Sequence, residues 1–448
     1  MMVVSVALLF VSYQILKGKK ENKRCKFLID QLHTINYQVE KLLVVDENVN
    51  IVTSELDDLS KQYDVVIIVR ESNNEVVVKA LSNLCCENCK SRTIEHHLNG
   101  ICEMPPAAKL LGVNSSHPVI YLQRIFVLEY DNVELQFSEY LKDHLQHYER
   151  GSNYMKVLNI QVNGNTEGIL EKLQMYKSII QLEHFQGVLK AIISNQNFQH
   201  LVECEKLLRH ELGDNIISSY EENDVLRRIY DSRERHIHQS IEGIKKCLSM
   251  YGPENVFLSF NGGKDCTVLL HLVHLVLRIN YPDYKSPIFC LYVKSKEAFS
   301  EQDEFISQCQ IFYNLDMMTV SLGMKEALDR VLKMKPNLKA GFMGTRRTDP
   351  FSADLKVFQM TDPDWPQVMR VNPILEWHYS DIWDYLLFYK VPYCKLYDMG
   401  FTSLGNATNT IRNPSLLYRD AKLMKDVYLP AYKMMNESEE RSGRNVKT

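Results

Sequence analysis

Residues Val256-Phe257-Leu258-Ser259-Phe260 run directly into Asn261-Gly262-Gly263-Lys264-Asp265 and then into the apolar stretch Thr267–Ile279. This order reads as a buried strand, a glycine turn and a long buried helix, the wiring of one unit in a parallel α/β sheet. Two adjacent glycines let the backbone approach an anion closely. The helix start points partial positive charge at it, and Lys264 adds a full charge. An ordinary strand-to-helix turn also favours Gly and Asp, so the loop alone leaves both a plain turn and a phosphate cradle open. Its spacing is neither G-x-x-x-x-G-K-[ST] nor G-x-G-x-x-G.

Further downstream the same alternation continues. Pro287–Val293 reads as a strand, Glu301–Tyr313 as a helix, Asp316–Val320 as a strand and Met324–Met334 as a helix. Ala340–Met343 then reads as a strand that delivers Gly344–Pro350 at its end. Open α/β sheets bind ligands outside the carboxyl ends of their strands, which places Asn261–Asp265 and Gly344–Pro350 on one cleft. Upstream, strands are expected at Val3–Val11, Val39–Val45 and Asp64–Val69, with helices at Arg24–Ile35 and Ile51–Gln62. Val157–Val162, a helix over Gly168–Tyr176 and a loop at Asn195–His200 suggest a small α+β appendage, and Ser218–Asn223 a boundary before a lead helix over Asp224–Tyr251. The expected organisation is 1–145, 146–223 and 224–448.

A chain of 448 residues, 45% hydrophobic and 24% charged, is long enough for two or three packed units. Its net charge of −4, with no basic stripe, argues against nucleic acid as a partner. Eleven scattered cysteines fit reduced thiols and a cytoplasmic setting better than a disulfide framework. The apolar run at the N-terminus has no basic residues before it and no small-residue cleavage pattern, and it is shorter than the ~20 residues of a bilayer span. It reads as a buried strand, so no membrane partner is expected. Cys86, Cys89, His96, His97 and Cys102 hold metal-ligand residue types, but a single C-x-x-C pair is a weak zinc pattern, and free surface thiols explain it as well.

The phosphate loop resembles that of the PP-loop ATP pyrophosphatases, whose members cut ATP between its α and β phosphates. Gly344-Thr345-Arg346-Arg347-Thr348-Asp349-Pro350, Arg370-Val371-Asn372-Pro373, Trp377, Asp381-Ile382-Trp383, Pro392-Tyr393-Cys394, Leu396-Tyr397 and Gly400-Phe401-Thr402-Ser403-Leu404-Gly405 follow in order. In that order and spacing, over roughly residues 230–445, the chain resembles the eukaryotic FAD synthases. These are FMN adenylyltransferases with a fold like that of phosphoadenylylsulfate reductase. The resemblance implies an adenine nucleotide α hydrolase-like parallel sheet with helices on both faces. Ile15-Leu16-Lys17-Gly18 with Phe27-Leu28, and later Met104-Pro105 with Ala107 and Leu110, make residues 1–145 resemble the molybdopterin-binding-like domain that precedes the synthase in animals. There, however, Ser12-Tyr13-Gln14 replaces a Gly-Asp-Glu, and Val69–Glu75 replaces a glycine-rich loop ending in paired aspartates. Without close backbone approach and metal-binding carboxylates, that domain is expected to be catalytically silent.

What the resemblance implies is transfer of AMP from ATP to FMN, giving FAD and pyrophosphate with Mg²⁺. The FMN phosphate, with a second pKa near ~6, is ionised at neutral pH and needs no general base. The work is to bring anions together and stabilise the leaving charge. By resemblance, Gly262, Gly263 and Lys264 cradle phosphates, and Asn261 and Asp265 position them, with Asp265 also holding the metal. Arg346 or Arg347 neutralises the reacting groups, while Ser259, Gly344 and Thr348 line the nucleotide site. Asp349 is equally explained as a turn residue before Pro350. Arg441 and Arg444, three apart, match the arginine pair that contacts flavin in the family, although a solvated tail would carry the same charges. Trp365, Trp377, Trp383 and Tyr397 suit either flavin stacking or the core. Thr410, Arg412, Asn413 and Pro414 also match, without assigned roles. Two alternatives stand beside the synthase: a non-catalytic flavin or nucleotide binder, and a sulfonucleotide reductase, which would need a nucleophilic cysteine near the C-terminus, where the last cysteine is Cys394.

Overall fold

The computed structural model describes residues 4–17, 23–71, 75–85, 92–94, 102–104, 108–112, 115, 117–149, 154–161, 180–185, 188–195, 197–213, 216–220, 226, 229–232, 234–420 and 424–444. Its first sheet has six strands in the order Tyr37–Val45, Val4–Val11, Val65–Arg70, Ile125–Glu129, Val119–Leu122 and Lys109–Leu111. The first four are parallel and the last two antiparallel. Successive side chains of a strand point to opposite faces. Val6, Leu8 and Phe10 accordingly enter one core and Ala7, Leu9 and Val11 the other, all fully buried. A run with no polar side needs helices on both faces, which is why the N-terminal apolar stretch forms a central strand.

A second sheet is antiparallel, in the order Ile180–Phe185, Val188–Asn195, Tyr154–Gln161 and Ile216–Tyr220. The polar run Asn195–His200 is not simply a loop, because the helix Phe198–Leu212 starts inside it. The Asn197 side chain accepts from the His200 amide at 3.2 Å, an N-cap that turns polar sequence into a helix start. Phe198 meets the Phe312 ring edge-on at 5.1 Å, and Leu158, Leu201 and Leu208 share one core with the third sheet. The expected helix at Gly168–Tyr176 and the Cys86, Cys89, His96 and His97 group lie outside the described residues, as does the Cys102 side chain.

The third sheet runs Leu315–Val320, Ile288–Val293, Val256–Ser259, Ala340–Phe342, Met369–Val371 and Phe358–Met360, with only the last strand antiparallel. Val256–Ser259 pairs with the next strand on one side and with Ala340–Phe342 on the other. The chain therefore reverses direction across the sheet there, and the loops leaving these two neighbours open a crevice. The helix Lys264–Asn280 is buried from Cys266 to Leu277, and His271 Nδ1 lies 2.8 Å from the Tyr385 hydroxyl. The expected lead helix is interrupted rather than continuous: Leu226, Ile229 and Tyr230 are helical, and the main helix runs Arg235–Tyr251. Between them the Glu234 amide donates to Ser232 Oγ at 3.2 Å, a turn that breaks the helical run. Among the described residues no helix is long and apolar enough to cross a membrane.

The first sheet meets the helix Tyr379–Phe388 at Lys109, whose Nζ lies 2.9 Å from Asp384 and 3.1 Å from Asp381. Burial alone would raise the Asp381 carboxyl, but Lys109 and its neighbours bring it down to about 2. Beside it His236 packs edge-on against Trp377 at 4.6 Å, and burial pushes its imidazole down to about 4 from 6.5. Below pH 6.5 the unfolded chain takes up a proton that the folded chain refuses. Stability is therefore expected to fall between about pH 6.5 and 4, by about 1.4 kcal/mol per pH unit from this residue. Urea midpoints at about pH 7 and pH 5 test this, since His236→Gln should flatten the slope by that amount.

Candidate active site

A cavity of about 470 Å³ opens at the crevice, within the ~300–1,000 Å³ range of small-molecule sites. Ser259, Asn261, Gly263, Lys264 and Asp265 line it from the first loop, Gly344 and Asp349 from the second, and Arg441 and Arg444 from the tail. Gly262 sits buried at φ 72°, in the left-handed region that favours glycine. Gly344 answers a different demand. A Cβ there would lie 2.9 Å from both the Cα and the N of Cys266, backbone atoms that cannot rotate aside, so only glycine lets the second loop lie on the first turn of the helix.

Asn261 shapes the loop from within, its Oδ1 accepting from the Gly263 amide at 3.0 Å. The Lys264 amide donates to the Tyr397 hydroxyl at 2.8 Å. Charge is concentrated on two side chains that are almost fully buried, Lys264 at 2% and Arg346 at 1% exposure. Lys264 Nζ reaches Asp265 Oδ2 at 3.2 Å, the Thr402 carbonyl at 3.2 Å and the Glu440 carboxylate. Arg346 Nε lies 2.8 Å from Asp265 Oδ1, and its Nη2 lies 2.7 and 2.5 Å from the two Glu440 oxygens. Burial would raise the Asp265 carboxyl, yet Arg346 and Lys264 together hold it below its ordinary value. For Asp349 burial wins and the pKa rises, although its Oδ2 accepts from the Arg346 amide at 2.8 Å. Arg346 does not itself line the cavity; it is buried against Asp265, Asp349 and Glu440, which do, and its Nη1 has no hydrogen-bond partner among the described residues.

Glu440 was not marked by the sequence as a site residue. It precedes Arg441 in a charged stretch that reads as solvated tail, and only the fold carries it inward. The Thr402 hydroxyl donates to the Glu440 carbonyl at 2.6 Å, and fully buried Asn413 donates to Thr402 Oγ1 and the Glu439 carbonyl, each at 2.8 Å. The Ile411 amide donates to the Gly443 carbonyl at 2.8 Å, and Arg444 Nη1 to the Leu404 carbonyl at 2.8 Å. The tail is thus stitched across the mouth of the cavity. Arg412 faces the Tyr428 ring at 5.3 Å.

Two expected residues lie elsewhere. Arg347 turns outward to Glu376, with Nε 3.0 Å from Oε1, and to the Leu355 carbonyl at 3.2 Å; Thr348 is exposed, and neither lines the cavity. Among the aromatics, Trp377 and Trp383 are core residues, Trp365 lines the cavity, and Tyr397 is buried yet contributes its hydroxyl to the loop. Among the described residues no group of three or more His, Cys, Asp or Glu could hold a metal by itself. Asp265 and Asp349 on the cavity wall instead suit Mg²⁺, which takes one or two carboxylates and completes its shell with phosphates and water.

The phosphoadenosine phosphosulfate reductase domain family matches residues 255–412, the stretch that carries both loops. A Caenorhabditis elegans protein named "Probable FAD synthase" is 28% identical over 508 residues, covering 98% of this chain and 97% of that one. A solved Candida glabrata FMN adenylyltransferase in complex with FAD and inorganic pyrophosphate is 26% identical over 50% of this chain and 95% of its own, with a TM-score of 0.45. A Schizosaccharomyces pombe protein, also named "Probable FAD synthase", is 40% identical over 210 residues, 46% of this chain and 77% of its own length. With both loops inside the matched region and a 40% identical relative covered over 77% of its length, the chain belongs to the FAD synthase family.

Proposed function

We propose that this chain is an FMN adenylyltransferase. An FMN phosphate oxygen attacks the α phosphorus of ATP, a new P–O bond forms, and the bond to the β phosphate breaks to release pyrophosphate. The observation that carries this reading is the meeting of buried Lys264 and Arg346 on one carboxylate, Glu440, beside the cavity. That arrangement is a seat for an anion with two cations already in place. Oriented cations in a dry site stabilise charge without reorganising during the reaction. Lys264 and Arg346 would hold the triphosphate and neutralise the departing pyrophosphate. Arg441 and Arg444, which also line the cavity, would bind the flavin phosphate side. Asp265, with Asp349, would hold Mg²⁺, which when bound screens phosphate charge. Cytosolic residence belongs to this reading and rests on the cysteine pattern.

A reductase reading is disfavoured at Cys394. Its thiol is fully buried, and burial pushes it up to about 11, so it supplies no thiolate nucleophile. Purified protein given FMN, ATP and Mg²⁺ should yield FAD and pyrophosphate in equal amounts; FMN binding without product would leave a non-catalytic binder.

Glu440 competes with phosphate for both cations. Glu440→Gln keeps the shape and removes the competing charge, leaving the cluster one unit more positive. Inhibition by pyrophosphate is expected to tighten about three- to tenfold, roughly 1 kcal/mol. An unchanged inhibition constant would mean that Glu440 does not share the phosphate seat.

A further inference from the structure

The segment that leads into the tail is held by the N-terminal sheet. Lys433 Nζ donates to the Ser60 carbonyl at 3.1 Å and to the Tyr63 carbonyl. Gln123 Nε2 donates to the Met434 carbonyl at 3.1 Å in a buried contact. Met435 packs on the core between the first sheet and its helices. Gln123 occupies the tight turn between Val119–Leu122 and Ile125–Glu129 at φ 53°, a conformation that a glutamine seldom adopts. Five residues separate Met434 from Glu440. Between them Glu437 accepts from the Tyr379 amide at 2.9 Å and meets His378 Nδ1 at 3.1 Å, so the path from clamp to cavity is short and tied at each end.

We propose that the N-terminal domain positions the cavity-closing tail, with Gln123 and Lys433 as positioning residues for Glu440, Arg441 and Arg444. This rests on the synthase reading for its kinetic consequence only. A domain without the glycines and paired aspartates of a working site thereby keeps a mechanical task, because the carbonyls of Ser60 and Tyr63 need only backbone geometry and Gln123 adds one side-chain amide. Release of Met434 loosens the tail at its N-terminal side, whereas the phosphate loop keeps its own ties to Tyr397 and to the helix Lys264–Asn280.

The experiment compares full-length wild type with Gln123→Leu and Lys433→Met by amide hydrogen exchange and steady-state kinetics. Exchange across residues 431–444 should quicken at least tenfold, while that of 264–280 stays unchanged. KM for FMN should rise about three- to tenfold with kcat within about twofold. A purely structural contact would instead lower the folded fraction and leave KM alone. Unchanged exchange in the tail of a folded variant overturns the proposal, and Gln123→Leu alone decides it if Lys433→Met does not fold. Exchange is read without turnover, so absence of FAD formation in wild type would sink the synthase reading and leave the clamp to the exchange result.

Discussion

Asp265→Asn is expected to lower kcat for FAD formation by about 10²–10³-fold. The carboxylate stands where Lys264 and Arg346 converge, and it lines the cavity where the phosphates would lie. Asn keeps the shape but loses the charge that orients both cations and would hold Mg²⁺. From sequence alone the change looks neutral for folding, yet the structure adds a cost, because Asp265 is also half of a buried ion pair. A loss of ~1–3 kcal/mol follows from weakening a charged, buried contact. Activity should therefore be measured at a temperature where circular dichroism shows the variant fully folded. A kcat within about threefold of wild type under those conditions would remove Asp265 from the chemistry.

Arg346→Met carries the larger stability effect. Arg346 is buried, with 1% of its surface exposed, and it bridges Asp265 and Glu440. Removing it leaves two carboxylates to share Lys264, and breaking such a buried pair typically costs ~3–5 kcal/mol. The expected fall in melting temperature is on the order of 10 °C. FAD formation should be lost as well, since Lys264 alone would then face Asp265, Glu440 and the phosphates. The pH dependence supplies a second check. Unpaired buried carboxylates favour protonation, so the deficit against wild type should shrink as pH is lowered toward about 5. A melting temperature within about 2 °C of wild type at neutral pH would show that Arg346 does not bridge the two carboxylates.

Local chemistry made much of the C-terminal half legible. Val256–Phe260, the paired glycines and the apolar helix form one βα unit because each step of the sequence favours the same local structure, and Gly344–Pro350 follows its strand for the same reason. The N-cap at Asn197 and the turn at Ser232 were less visible, since polar residues serve caps, turns and loops alike. The aromatic residues were ambiguous for a related reason. Trp377, Trp383, Trp365 and Tyr397 have similar sequence surroundings, and only packing separates a core ring from one on a cavity wall.

Sequence by itself determined the strand–loop–helix units and the pairing of the two loops at the crevice. These depend on residue type, spacing and backbone freedom at particular glycines, all of which act over a few neighbours. Tertiary structure alone decided that Glu440 enters the phosphate seat, that Arg347 leaves it for Glu376, and that Gln123 and Lys433 tie the tail to the first sheet. Each of these contacts joins residues far apart in the chain, or chooses between two adjacent arginines, and long-range electrostatic and packing partners leave no periodic or local trace in a sequence.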